Sequence, residues 1–206
     1  EHSDVCNYAD DNSLSIADKN IETIIDKLES DVCNLKLWFT QNGMLLNGDK
    51  CQFMIVESLR NTRENLVKLK IGEHFVEERK KGKLLGITFD SYLTMKDHII
   101  SICKQASNKL YALARISSYL DEHKRKVLMK SFILAQFNYC PIIWMYCQRQ
   151  SNNLMNKIHK RALRIAYNDY ISNFDALLEK DNALTIHERN IQTLTIEIYK
   201  TIQRVL

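Results

Sequence analysis

The order of apolar and polar positions changes character once along the chain, just after Tyr92. Before that point short alternating runs dominate. Residues 5–8 and 13–17 read as two strands joined by a turn at Asp10–Asp11–Asn12, residue types that tolerate the positive φ of tight reversals. From Asp18 the period lengthens. Ile21, Ile24, Ile25, Leu28, Val32, Leu35 and Phe39 share one helical face, and Asn42–Gly43 supplies the stop. The run "CQFMIVE" (51–57) predicts an apolar strand, and "SLRNTREN" (58–65) a polar connector. Further short strands are expected at 66–71, 74–77 and 84–90, with "ERKKGK" (78–83) as a charged turn.

Beyond Tyr92 the spacing is helical throughout. Ile99, Ile102, Cys103, Ala106, Leu110, Leu113 and Ala114 form one stripe over 95–118. Asp121–Glu122 opens a second helix, with acids in its first turn, running through Val127, Leu128, Phe132 and Ile133 towards Tyr139–Cys140. Pro141 then forces a break or a new start. "NLMNKIHKRALRIAY" (153–167) and "NFDALLEKD" (173–181) predict two more helices. Thr185 and Glu188 form a capping box ahead of a last helix through Ile191, Leu194, Ile198 and Ile202. The pattern predicts an α+β chain, with a mixed domain over 1–94 and an all-helical one over 95–206.

Composition adds limits. A 45% hydrophobic share and one proline fit a folded chain with long helices. No apolar run reaches the length of a membrane-spanning helix, so no membrane partner is expected. The first residue is Glu1, without a basic leader, so the chain is expected to begin within a domain and not with a signal peptide. Six scattered cysteines predict reduced core thiols in an intracellular protein. Charge is uneven: residues 1–94 hold 12 Lys and Arg against 16 Asp and Glu, while 95–206 hold 17 against 9. Two basic runs, Lys124–Arg125–Lys126 with Lys130, and Lys157, His159, Lys160, Arg161 and Arg164, read either as a phosphate-tracking surface or as solvated helix faces.

The chemistry-bearing patterns are few. Cys140, Cys147 and His159 lack the spacing of a zinc site. Tyr139, Trp144 and Tyr146 could stack on bases, but their apolar neighbours favour packing. His98, His123 and His187 show no triad pattern, and no glycine-rich phosphate loop occurs. The adjacent acids Asp10 and Asp11 stand out, because carboxylates held on a rigid hairpin are what phosphoryl-transfer metals require.

Those acids belong to "YADD", Tyr8-Ala9-Asp10-Asp11, between two strands and ahead of a long amphipathic helix. The chain here resembles the reverse transcriptases of non-LTR retrotransposons (LINE-type, jockey-like). Three further segments come in that family's order: "LWFTQNGMLLNGDKCQFM" (37–54) with Asn42, Gly43, Asn47, Lys50 and Cys51; "KLLGITFDSYLTMKDHI" (83–99) with Leu85, Gly86 and Asp90; and the helical stretch from "FNYCPIIW" to "LTIHERN". The resemblance covers nearly the whole chain. It implies the C-terminal part of a polymerase palm over 1–94 and a helical thumb or connection region over 95–206. Asp10 would be a ligand of catalytic Mg²⁺, Asp11 an auxiliary acid, and Lys50 the cation at the leaving pyrophosphate. Tyr8 and Ala9 would lie near the primer terminus, and Leu85–Gly86 would form the turn that grips the primer strand. Lys157, Lys160, Arg161 and Arg164 would follow the duplex backbone. RNA template, DNA primer and deoxynucleotides are the implied partners of the complete RNA-directed DNA polymerase, a nucleotidyltransferase.

The family uses a further Asp from a palm strand earlier in the chain, and the fingers that bind template and incoming nucleotide. Neither follows Glu1, so the isolated chain is expected to hold Mg²⁺ poorly and to be inactive alone. The alternative is a non-catalytic retroelement remnant acting as a helical nucleic-acid-binding or protein-interaction module.

Overall fold

The computed structural model describes residues 2–58, 60, 63 and 65–205. Contacts divide the chain into two compact units, Glu1–Lys83 with Asp90–Tyr92, and Leu84–Phe89 with Leu93–Leu206. The class is α+β, with small two-stranded sheets and a majority of helix.

The first unit starts with a hairpin, β1 (Asp4–Tyr8) and β2 (Asp11–Ser15), in register from Asp4↔Ser15 to Tyr8↔Asp11. The reversal is therefore Ala9–Asp10, one residue earlier than the polar turn chemistry predicts, and Asp11 opens β2. Helix α1 (Ile21–Gln41) follows. Asn20 caps it by accepting from the Glu22 amide at 2.9 Å, and Asn42 and Gly43 (φ 70) end it as expected. Its buried residues Leu28 and Val32 meet Phe53, Ile55, Leu69, Ile71 and Val76 in one apolar cluster. Leu14, Ile21 and Ile25 lie at the margin of that cluster.

The strands β3 (Lys68–Ile71) and β4 (His74–Glu77) pair antiparallel, with Leu69, Ile71 and Val76 turned inward. Residues 51–57 do not form the predicted strand. Phe53 and Ile55 are buried in alternation, but among the described residues only Phe53 bridges, to Glu78. Side-chain period and ladder pairing are separate requirements, and only the first is met here. The predicted connector 58–65 falls partly outside the described residues. Around it, the buried Glu78 carboxylate takes the Arg63 guanidinium at 2.9 and 3.3 Å and the Val67 amide at 3.1 Å. Arg63 and Lys80 both also reach Glu57.

One buried carboxylate ties the first residues to α1. Asp31 Oδ2 accepts from the His2 amide (2.8 Å), the Ser3 amide (2.7 Å) and the Ser3 hydroxyl (2.6 Å). An acid on the inner side of an apolar helix face is otherwise costly, and these three donors satisfy it.

The predicted strand at 84–90 is two strands, β5 (Lys81–Leu84) and β6 (Ile87–Asp90), separated by a Leu85–Gly86 turn. Helix α2 (Lys96–Ile116) buries Ile99, Ile102, Cys103, Ala106, Leu110 and Leu113, while Ala114 is exposed. The expected continuous second helix is broken into α3 (Glu122–Leu128), a π-helical turn at Met129–Ile133 and a tighter turn at Leu134–Phe137. An extra residue per turn rotates the face. Met129, Ile133, Leu134 and Phe137 point inward, while Val127 and Phe132 are half exposed.

Pro141 opens the short α4 (Pro141–Trp144), succeeded by α5 (Arg149–Tyr167), α6 (Phe174–Asp181) and α7 (Ile186–Val205). The capping box before α7 forms, with Thr185 and Glu188 bonded reciprocally at 2.9 and 3.3 Å. Helices α2 and α5 carry the core of this unit, and Ile99, Ala106, Met155, Ala162, Leu163 and Ala166 are all fully buried. Among the described residues no helix is long and apolar enough to cross a membrane.

The bonds from Ser3 and the two amides hold the Asp31 carboxyl below its ordinary value. Its stabilisation is complete above the unfolded value near pH 4 and fades as pH falls through the lower folded value. Asp31→Asn should cost about 2 kcal/mol at neutral pH. Its denaturant midpoint should also fall less steeply below about pH 4 than that of the parent. Urea titrations at pH 3 to 7 check both.

Candidate functional site

The β1–β2 hairpin leaves Tyr8, Ala9, Asp10 and Asp11 exposed. Leu14 faces the apolar cluster, so by strand alternation Cys6, Tyr8, Ser13 and Asp11 occupy the opposite face. Tyr8 and Asp11 are direct cross-strand partners, which sets the phenol beside the carboxylate. Asp10 stands at the tip, its carbonyl taking the Asn12 side-chain amide at 3.4 Å. Ala9 holds φ 54, a left-handed conformation that costs any residue with a Cβ, and alanine carries the smallest side chain that pays it.

A divalent cation that holds its waters tightly needs several converging oxygens. The hairpin offers two carboxylates, and among the described residues no group of three or more His, Cys, Asp or Glu side chains gathers. Asp10 and Asp11 by themselves supply fewer oxygens than such an ion takes. Lys50 also belongs to the first unit, exposed at the end of a single helical turn, Gly48–Lys50, whose Lys50 amide donates to Asn47 at 3.2 Å.

Leu85 and Gly86 belong to the second unit. Both have positive φ, 46 and 85, the pattern of a type I′ reversal. Leucine is an unusual occupant of that first position, which is why the sequence reads as uninterrupted strand. The Tyr139 hydroxyl donates to the Leu85 carbonyl at 2.6 Å. This bond is a role that neither stacking nor packing describes, and the aromatic neighbours of Tyr139 separate cleanly. Trp144 is fully buried, and Tyr146 is mostly exposed.

The two basic runs differ. On α5, Lys157, Lys160, Arg161 and Arg164 fall on one stripe, opposite the buried Met155, Ile158, Ala162 and Ala166. Arg161 lies over the Tyr111 ring at 5.2 Å. Among the described residues no carboxylate pairs with these four cations. His159 does not belong to the stripe. Its ring is fully buried, edge-on to Phe174 at 5.5 Å, and burial pushes its pKa down to about 4, so it is neutral at pH 7.

The α3 run is occupied. Lys124 pairs with Asp121 (2.9 Å), Lys126 with Glu122 (2.7 Å), and Lys130 with Asp181 (3.4 Å). The Arg125 guanidinium is spent on backbone, donating to the carbonyls of Ala166 (2.9 Å), Leu120 (2.7 Å) and Ser117 (3.4 Å). Arg125 is thus a clasp between helix ends, which its charge alone does not reveal.

The cysteines depart from the expected core set. Cys103 is buried, its thiol pushed up to about 12 by desolvation and by Cys147, whereas Cys6, Cys33 and Cys140 are exposed and all are free thiols. His98 is buried and accepts the Thr88 amide at 3.4 Å, and burial lowers its pKa.

No family model matches the chain, and neither does a curated protein or a solved structure.

The left-handed Ala9 gives a direct test of the hairpin. Ala9→Gly should raise stability by about 0.5–1 kcal/mol, and Ala9→Val should lower it by more, because a branched Cβ fits that conformation worst. Thermal melts of the three proteins check the order.

Proposed function

We propose that the chain is the C-terminal palm and adjoining helical region of a retrotransposon reverse transcriptase. In the complete enzyme it would add deoxynucleotides to a DNA primer on an RNA template. The observation that carries this reading is the exposed hairpin, with Asp10 at its tip and Asp11 on its solvent face beside Tyr8. That is the arrangement a pair of metal-binding acids needs in order to meet a third from elsewhere in a polymerase palm. Mg²⁺ is the ion such a completed site would hold, and Lys50 the cation for the pyrophosphate.

The uncompensated stripe on α5 suits a thumb that tracks phosphates, since Lys157 and Arg161 are exposed on one helix face, with Lys160 and Arg164 half-buried beside them and the Arg164 Nε buried. The same stripe also favours a second reading, in which the helical region binds nucleic acid without catalysis. It lies wholly within the second unit and needs nothing from the hairpin.

Joining the chain behind a fingers-and-palm segment that supplies the upstream carboxylate separates the two. On the polymerase reading the fusion extends a primer, and Asp10→Asn lowers the rate by at least about a hundredfold, as expected for loss of charge stabilisation at a reacting phosphate. Extension that ignores Asp10→Asn, or no extension in any such fusion, favours the binding module.

Both readings predict that affinity for an RNA–DNA duplex falls linearly with the logarithm of salt. Lys157→Ala should make the slope shallower by about one phosphate's worth, roughly 0.9. A slope unchanged by the loss of Lys157 would remove α5 from the interface. Fluorescence anisotropy between 50 and 300 mM salt measures it.

A further inference from the structure

Tyr139 belongs to the stretch "FNYCPIIW", and the residues around it are fixed one after another. Arg189 on α7 donates to the Asn138 side chain at 2.6 Å. The buried Trp144 indole donates to the Tyr139 carbonyl at 3.1 Å. Cys140 takes a left-handed φ of 44, and Pro141 starts α4 directly after it. The backbone of Tyr139 is thus anchored on both sides, while the residue as a whole is 54% exposed. It reaches the Leu85–Gly86 turn: the hydroxyl meets the Leu85 carbonyl, and a Cβ placed on Gly86 would fall 3.6 Å from the tyrosine ring.

The turn has reason to need support. Leu85 at φ 46 sits where residues with a Cβ are disfavoured, and such conformations persist only where surrounding contacts over-determine them. A short bond to the carbonyl of the strained residue itself is such a contact. A tyrosine held this firmly, yet half open to solvent, contributes little as core, so burial does not account for its placement.

We infer that Tyr139 is a positioning residue for the Leu85–Gly86 turn, its hydroxyl holding the Leu85 carbonyl so that the turn keeps a single left-handed backbone. The nucleic-acid role of that turn rests on the polymerase reading above; the hold exerted by Tyr139 does not. The "FNYCPIIW" corner then has a task beyond packing: it delivers one hydroxyl to one carbonyl.

Tyr139→Phe keeps the ring and deletes the hydroxyl. In the labelled 206-residue chain, amide exchange at Ile87, the buried residue that closes the turn, should quicken about three- to tenfold, the worth of one neutral hydrogen bond. Exchange equal to the parent overturns the inference. Leu85→Asn places at the turn a residue more at ease in the left-handed region, and in that background the effect of Tyr139→Phe should shrink to less than about twofold. An undiminished effect there also overturns it, because the hydroxyl would then be stabilising something other than the turn's conformation.

A primer carrying a 3′-terminal 4-thiothymidine supplies the second readout. Tyr139→Phe should lower its crosslinking to residues 85–86 severalfold without altering the salt slope of duplex binding. An unchanged yield counts against positioning. A parent chain whose turn never crosslinks to the primer removes the polymerase reading of the turn, while amide exchange still decides the role of Tyr139.

Discussion

The seam between α2 and α5 is the constraint on which the helical unit rests. Ala106 on one helix and Ala162 and Ala166 on the other are fully buried, as are Ile99, Met155 and Leu163 around them. Small residues at a helix crossing let the backbones approach closely, and the larger side chains then fill the grooves on either side. Once α5 is committed to that seam, its opposite face is committed too. Lys157, Arg161 and Arg164 cannot turn inward without taking Ile158 and Ala162 out of the core. The solvent-facing charge of this unit is in that sense a by-product of its apolar packing. His159, one residue from Lys160, falls on the buried side and loses its charge.

Two reversals, Ala9–Asp10 and Leu85–Gly86, share a feature that links local strain to the proposed chemistry. Each puts a residue with a Cβ at positive φ in the first turn position, where glycine or asparagine would sit at lower cost. The two are stabilised differently. Ala9 limits its cost by being small, and leaves Asp10 and Asp11 clear of bulk. Leu85 is larger and is met by an outside donor, the Tyr139 hydroxyl. Neither position holds the residue that turn geometry alone favours.

Much of the helical half is legible from sequence because period 3.6 is a strong signal over twenty residues. The stripe on α2 apart from the exposed Ala114, the restart at Pro141 and the Thr185–Glu188 box stand in the structure as the pattern predicts, as does the Asn42–Gly43 stop of α1 in the first unit. Pairing and phase are less legible. Residues 51–57 alternate correctly but find one bridging partner, which depends on residues far along the chain. Turn chemistry places the first reversal one residue late, because Asn12 is a better turn former than Ala9. Leu85 conceals a turn inside an apparently unbroken strand. Of the candidate site, the acids and the α5 stripe can be named from sequence, whereas the commitments of Arg125 and Tyr139 cannot, since each acts on backbone carbonyls that composition does not display.

The π-helical turn at Met129–Ile133 sits upstream of the corner that holds Tyr139. One extra residue per turn makes that segment a counter of chain length as much as a piece of helix. Removing a single residue there would let the segment wind as a regular helix while the residues beyond it keep their bearing, whereas removing one from the regular α3 would rotate them by roughly 100°. Phe137 would then leave the core, and Asn138 and Tyr139 would arrive on another bearing. Along α3, ahead of that turn, the chain should therefore tolerate exchange of one apolar residue for another far better than a change in their number. Insertions and deletions, more than substitutions, are the changes this stretch is built to resist.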